Sequence, residues 1–358
     1  MTRTADRFAG REWTVTILPL PKRTSLALPN GFGGGGVLGT ASSARGHRDK
    51  GFFWRDGAPL AIAPARIEAW VSRGDRDAFA GAWLTPSRGP RAALWRVADG
   101  GFDTADLHPP AYANSRALAC AAGAAVGYGE PGGQTGVGRR ERALLWHGAP
   151  DAVIELAGPD PSRTTLATGL DGEVQVGVYG ANWSRHAALW RGRSETMVDL
   201  HPQPPSGHPP ELQISAAAGA GSGEQIGMVA WKKDAVAPPA VRAALWRGHA
   251  DSFVDLTPDG VASAEAKACL DGVQVGQVVS GEGARARTHA ALWTGSASSF
   301  ADLHAFVPAP WTDSWAVDIE RVGTVVRVLG GVLDQAEEDG QVTTRARRIA
   351  VWQVEGES

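Results

Sequence analysis

Seven short apolar segments that end in tryptophan recur along the chain and constrain its fold more than any other feature. They end at Trp54, Trp95, Trp146, Trp190, Trp246, Trp293 and Trp352. Successive tryptophans stand 41–59 residues apart, and a period of about 40–50 residues is typical of propellers and solenoids. Because the repeat covers the whole chain, we expect a single domain over residues 1–358.

Four pieces recur around each tryptophan. After Trp190, the pair Arg191-Gly192 turns the chain into a strand ending in Asp-Leu at 198–200. An Ala-rich strand such as 214–218 follows a variable loop, and the next strand ends in Val-Gly, as at Val176-Gly177. Four short strands repeated seven times predict an all-β, seven-bladed β-propeller with four antiparallel strands per blade.

The position of each strand within a blade follows from its side chains. Blades converge at the axis, so the Ala-rich strand is predicted to be innermost and the Asp-Leu strand outermost. The repeat tryptophans are expected to pack one blade against the next, since large aromatic side chains dominate packing energetics.

The two ends of the chain predict how the ring closes. The last repeat stops just after Trp352 without an Asp-Leu strand. The pattern of Val15–Pro19 matches that of Val198–Pro202. We therefore expect residues 14–19 to form the outer strand of the C-terminal blade and to cover sheet edges that would otherwise be exposed.

Two parts of the repeat also match a known pattern. His186–Trp190 and His289–Trp293 read His-Ala-Ala-Leu-Trp, and Leu170–Gly177 and Leu270–Gly276 run from Leu-Asp-Gly to Val-Gly. In these residues the chain resembles the HAF-type extracellular repeat, with Asp in place of its Asn. The resemblance implies a propeller and brings no settled activity and no catalytic residues with it.

Composition argues against a nucleic-acid partner, a membrane span and secretion. A formal charge of −3 gives no reason to expect nucleic acid, and no apolar run is long enough to span a membrane. Residues 1–13 carry charges where a signal peptide would be apolar, so a cytoplasmic protein is expected. Cys120 and Cys269 are too few for a disulfide framework. We expect a monomer.

Loop lengths indicate which face of the propeller carries the function. The long connections are 129–141, 231–241 and 330–344 between second and third strands, and 202–210 and 304–312 between blades. Strand direction puts both sets on one face, which we call the loop-rich face. Function usually lies on loops held by a rigid scaffold, so a small molecule or a protein partner is expected there.

Charged residues at the starts of the inner strands form the first candidate site. Three consecutive blades offer arginines for ligand binding, and the next three offer carboxylates for acid–base catalysis: Arg66, Arg116, Arg163, then Glu211, Glu265 and Asp313. Such a split ring could hold an anion beside a proton donor or acceptor. The alternative is that these are solvated strand ends that pair with one another.

Aromatic residues outside the repeat positions form the second candidate site. Near the long loops we expect Trp83, Trp183, Trp231 and Trp315 to contact a ligand. The alternative is packing between the loops and the blades.

Neither a metal nor a cofactor is expected. His108, His201 and His304 follow Asp-Leu pairs but end outer strands, so the ring spreads them too widely for one metal. The segment Gly31–Gly36 fits a dinucleotide fingerprint by letter, but no helix follows to present its N-terminus to a phosphate.

Two functions from different classes remain open. The leading hypothesis is a binding or scaffold propeller that presents its loop-rich face and axial pocket to a small ligand or protein. The alternative is a cofactor-independent lyase, cyclase or hydrolase at the axial mouth, with Arg stabilising an anion and Glu or Asp as acid or base. A lectin is a third hypothesis, and it would require exposed repeat tryptophans. The identity of the ligand or substrate does not follow from the sequence.

Overall fold

The computed structural model describes residues 8, 11–43, 50–63, 67–85, 88–132, 140–180, 185–207, 209–210, 213–234, 236–338 and 341–356. Within these ranges the chain is built from antiparallel strands joined by short turns, some of them single 3-10 turns such as Ser194–Thr196. Along strands such as Ser263–Leu270, buried and partly exposed residues alternate with the strand period of two, whereas a tryptophan strand such as His186–Trp190 is buried along most of its length.

Five of the sheets contain four antiparallel strands each, in chain order from first to last. Their bounds are β6–β9 (Glu68–Gly74, Ala78–Thr85, Arg88–Ala98, Gly101–Asp106), β10–β13 (Tyr112–Ala121, Ala124–Pro131, Arg142–Trp146, Val153–Leu156), β14–β17 (Thr165–Asp171, Val174–Tyr179, His186–Trp190, Val198–Asp199), β18–β21 (Gln213–Gly221, Glu224–Trp231, Ala240–Trp246, Val254–Asp255) and β22–β25 (Ser263–Leu270, Val273–Ser280, Arg287–Trp293, Ala301–Asp302).

The remaining strands form one mixed sheet with the order β26-β27-β28-β2-β3-β4-β5, in which β1 also pairs with β28. Their bounds are β1 (Thr14–Ile17), β2 (Leu26–Gly33), β3 (Gly36–Ser42), β4 (Lys50–Arg55), β5 (Ala58–Ala61), β26 (Asp313–Val322), β27 (Val325–Glu338) and β28 (Gln341–Glu355). A single parallel bridge between Leu26 and Arg347 joins two groups that are otherwise antiparallel.

The first strands of these units lie side by side around a common centre. They contact one another in the order β2, β6, β10, β14, β18, β22 and β26, and β26 contacts β2 again. The Ala-rich strands β10, β18 and β22 are thus among those at the centre, where side chains have the least room. This arrangement confirms an all-β propeller built from four-stranded antiparallel sheets.

The repeat tryptophans lie in the core between neighbouring sheets. Trp190 is 0% exposed and packs against Leu156 of the preceding sheet. Its indole Nε1 donates a hydrogen bond to the carbonyl oxygen of Ala157, 2.9 Å away. The leucine of each Asp-Leu pair is equally buried, as Leu107, Leu200, Leu256 and Leu303 show. Through these contacts, the tryptophan of one sheet packs into the space between its own sheet and the preceding one.

In the five four-stranded sheets, the Arg or His just before the segment that ends in tryptophan pairs with the acidic residue of the outer strand. In β16, His186 Nδ1 lies 2.7 Å from Asp199 Oδ2. Asp199 Oδ1 also accepts the backbone N–H of His201, and His201 Nδ1 lies 2.8 Å from Ser215 Oγ in the next sheet. Burial and the neighbouring His186 lower the pKa of His201 to about 4, so this imidazole is neutral at pH 7 and ties two sheets together. His108 and His304 make the same bond to Ser115 and Ser314.

Candidate functional site

Each first strand carries one extra residue opposite the second strand, and this irregularity shapes the centre of the molecule. Between Ala167 and Gly169 the register with β15 shifts, so that Thr168 has no partner of its own. The nearby Gly177 is required, since a Cβ there would lie 1.8 Å from the carbonyl oxygen of Leu166. A β-bulge of this kind bends the strand and re-aims the extra side chain.

Six of the re-aimed side chains line a cavity of about 570 Å³ at the centre of the molecule. We call them the bulge ring, and its members are Asn30, Arg73, Leu118, Thr168, Ala218 and Lys267. Each lies within the register shift of its own strand. The axial cavity lies within the size range of ligand pockets, about 300–1,000 Å³.

Hydrogen bonds hold polar members of the bulge ring in place. Thr168 Oγ1 donates to the carbonyl oxygen of Ala217, 2.8 Å away, and Asn30 Nδ2 donates to that of Val71. Arg73 reaches across the centre, where its Nη2 lies 3.3 Å from the carbonyl oxygen of Lys267. Arg73 also lines a smaller cavity of about 140 Å³, so its side chain forms the floor between the two spaces.

The charged side chains of the axial cavity are Arg73, Arg185, Glu265 and Lys267. Glu265 and Lys267 form an ion pair with each other. Arg185 is half-buried, and its buried Nε has no hydrogen-bond partner among the described residues. The lining therefore carries more positive than negative charge.

The cavity extends from the bulge ring toward the starts of the first strands. Ala216 and Leu166 precede the bulges of their strands, and Arg185 stands just before β16. The second strands end and the third strands begin on this side, so the cavity lies toward the loop-rich face.

The carboxylates and arginines named from the strand starts do not all meet in this cavity. Glu265 lines it, whereas Arg116, Arg163 and Asp313 are not among its lining residues. Arg116 lies flat on the ring of Trp70, with its guanidinium carbon 3.6 Å from the ring centroid. Arg66 and Glu211 lie outside the described residues.

The other two members have contacts of their own. Arg163 is 45% exposed, and its Nε lies 3.6 Å from Asp160 Oδ2. Asp313 is 4% exposed, accepts the backbone N–H of Thr288 at 2.8 Å and accepts the hydroxyl of Thr312 at 2.8 Å. Asp313 thus fixes the entry of a strand, and a role for these residues in ligand binding or catalysis stays a prediction.

The predicted aromatic contacts are placed beside the core. Trp83 packs against the cluster around Phe53, and Trp231 packs against the cluster around Trp246. Trp315 lies with its ring centroid 5.9 Å from the guanidinium carbon of Arg347. None of the three lines the axial cavity. Trp183 lies outside the described residues, and ligand contact by these tryptophans stays a prediction.

The bulge ring is the set of candidate residues that reasoning from strand starts missed. A signal for it exists in the chain, because glycine recurs where the second strand faces each bulge. Those glycines include Gly127, Gly177, Gly227 and Gly276, at each of which a Cβ would overlap a backbone oxygen. Counting back from them along the hairpin would have identified the re-aimed positions.

Metal and membrane features are limited in the described part of the chain. Its His, Cys, Asp and Glu side chains form no group of three or more that could hold a metal ion. No helix in the described ranges has the length and apolar character needed to cross a membrane.

Comparison with known proteins bears on the fold. No protein-family model matches the chain, and no curated protein matches its sequence. The resemblance to HAF-type repeats therefore gains no support.

Several solved structures are similar in shape. A puromycin-hydrolyzing peptidase of Mycobacterium tuberculosis aligns with 94% of this chain, and the alignment covers 56% of the peptidase, at 16% sequence identity and a TM-score of 0.50. Oligopeptidase B of Leishmania major aligns with 96% of this chain, and the alignment covers 50% of the oligopeptidase, at 10% sequence identity and a TM-score of 0.51. The β-propeller domain of the trilobed protease from Pyrococcus furiosus aligns with 92% of this chain, and the alignment covers 97% of that domain, at 9% sequence identity and a TM-score of 0.47. The chain thus spans about half the length of the two peptidases, and at these identities the likeness concerns the fold alone.

Proposed function

We propose that this chain is a binding β-propeller that holds a small ligand in its axial cavity. The observation that carries the proposal is the cavity of about 570 Å³ within the bulge ring. Small side chains such as Ala216 and Ala218 leave the space open, and a few polar groups stand at fixed positions around it. Concave sites with apolar walls and a few placed polar groups are the usual form of ligand pockets.

The architecture we propose for this function is one domain over residues 1–358 with seven blades. The mixed sheet is then two blades, β2–β5 and β26–β28 with β1, which touch through the single bridge of Leu26 and Arg347. The strand at residues 14–19 closes the C-terminal blade, since β1 pairs with Ala350–Gln353 of β28. A closed ring keeps the bulge ring rigid around the ligand.

Filling the cavity tests the proposal. Ala216→Trp places a large side chain in the cavity, whereas Ala240→Trp makes the same change at an exposed position at the start of β20. Small organic compounds that bind the protein, detected by ligand-observed NMR, are expected to bind the A216W variant at least tenfold more weakly. They should bind the A240W variant as they bind the unmodified protein. Equal binding to both variants would place the ligand elsewhere and contradict the proposal.

A second candidate is a cofactor-independent enzyme that uses the same cavity. Glu265 favours it, because this carboxylate faces the cavity beside Lys267 and could act as acid or base. The peptidases of similar fold suggest hydrolysis as the reaction class. Turnover of a bound compound that is lost in Glu265→Gln, with binding retained, would favour the enzyme over the binding protein.

A further inference from the structure

We infer that the ligand of the axial cavity is a small organic anion whose carboxylate binds Arg185 while its apolar body lies against the neighbouring walls. This inference rests on the proposed function and names the class of ligand that the cavity takes. It is based on which charged groups around the cavity have a hydrogen-bond or ion-pair partner among the described residues and which do not.

Two of the three cations in the lining already have partners within the protein. Lys267 is paired with Glu265. Arg73 bonds to the carbonyl oxygen of Lys267 and also lines the smaller cavity together with the buried Asp318. Glu265 thus balances the charge of Lys267, and Arg73 is held by a hydrogen bond at the floor of the cavity.

Arg185 differs, because its Nε is buried and has no hydrogen-bond partner among the described residues. Its backbone is held firmly, since its carbonyl oxygen accepts the N–H of Ser215 at 2.9 Å. A buried N–H of a guanidinium that has no acceptor among the described residues is unfavourable, because its desolvation is not offset by them. An anion in the cavity would supply the missing acceptor.

The surroundings of Arg185 select the rest of the ligand. Leu166, Val178 and Met228 line the cavity with it, and Leu118 lies in the same lining. A carboxylate matches the planar fork of a guanidinium through two parallel hydrogen bonds. Inorganic phosphate would satisfy the charge but leave these apolar walls uncovered, so an anion with an apolar body fits better.

The experiment compares benzoate with the uncharged benzamide by calorimetric titration at low salt. Arg185→Gln removes the charge, and Arg191→Gln is the matched control, since Arg191 is an exposed arginine that directly follows β16 whereas Arg185 directly precedes it. We expect benzoate to bind the unmodified protein more tightly than benzamide. The R185Q variant should bind benzoate about tenfold to a hundredfold more weakly, the loss expected of a charge-assisted hydrogen bond. Its affinity for benzamide, and both affinities of the R191Q variant, should be unchanged.

Other results overturn the inference in distinguishable ways. Equal binding of benzoate and benzamide, or benzoate binding that R185Q leaves intact, would refute the anion while the cavity proposal stands if A216W still blocks both probes. Inorganic phosphate that binds as tightly as benzoate, and depends on Arg185, would refute the organic class. No binding of benzoate to the unmodified protein would also refute the inference. Binding of both probes that A216W leaves unchanged would refute the proposed function itself.

Discussion

Replacement of Trp190 by alanine is expected to lower the free energy of unfolding by about 3–5 kcal/mol. The indole is 0% exposed and lies in the core shared by two neighbouring sheets. Its removal leaves a cavity between the sheets and also deprives the carbonyl oxygen of Ala157 of its donor. Denaturant unfolding followed by fluorescence and circular dichroism measures the loss.

The control for this variant is Arg191→Ala, one residue further along. Arg191 is exposed, so its truncation should change the free energy of unfolding by no more than about 0.5 kcal/mol. A loss of less than about 1 kcal/mol in the Trp190 variant would show that the repeat tryptophans do not hold the sheets together, and exposed tryptophans would revive the lectin hypothesis.

Deletion of residues 1–18 is expected to be at least as damaging, with a loss of roughly 5 kcal/mol or more. The deletion removes β1 and uncovers the outer edge of β28. It also removes Trp13 and Leu18, which are 5% and 8% exposed and belong to different core clusters. Thermal and denaturant unfolding of the truncated chain measure the effect.

A point variant separates the loss of the strand from a general effect of altering it. Thr16 is exposed in β1, so Thr16→Ala keeps the pairing with β28 and should leave the melting temperature nearly unchanged. A truncated protein as stable as the full chain would contradict closure of the C-terminal blade by residues 14–19.

Much of the fold follows from sequence because the repeat states the same physical requirements several times. Alanines at the centre, as at Ala117 and Ala167, and tryptophan between sheets, as at Trp190, reflect how much space each position offers. The histidine that begins the segment His186–Trp190 is visible in the sequence pattern, and the structure supplies its partner, Asp199. The repeat identifies the residues that recur in each sheet, whereas the residue that each of them contacts is known only once the pairing of the strands is known.

The candidate site was harder to predict, because a bulge breaks the period of two on which strand patterns depend. Thr168 and Lys267 would be assigned to a sheet face by simple alternation, yet the extra residue in each strand turns them toward the axis. Arg73 and Arg185 stand outside the positions compared from blade to blade. Reasoning from strand starts therefore identified Glu265 as a cavity residue and passed over the cations around it.

The position of a bound ligand tests the central claim most directly. In crystals soaked with para-bromobenzoate at a concentration that saturates the protein in solution, we expect a bromine anomalous peak inside the axial cavity, among Leu118, Leu166 and Met228. The carboxylate should lie within hydrogen-bond distance of Arg185. A cavity without a peak, with bromine found only at other surfaces of the molecule, would contradict the account.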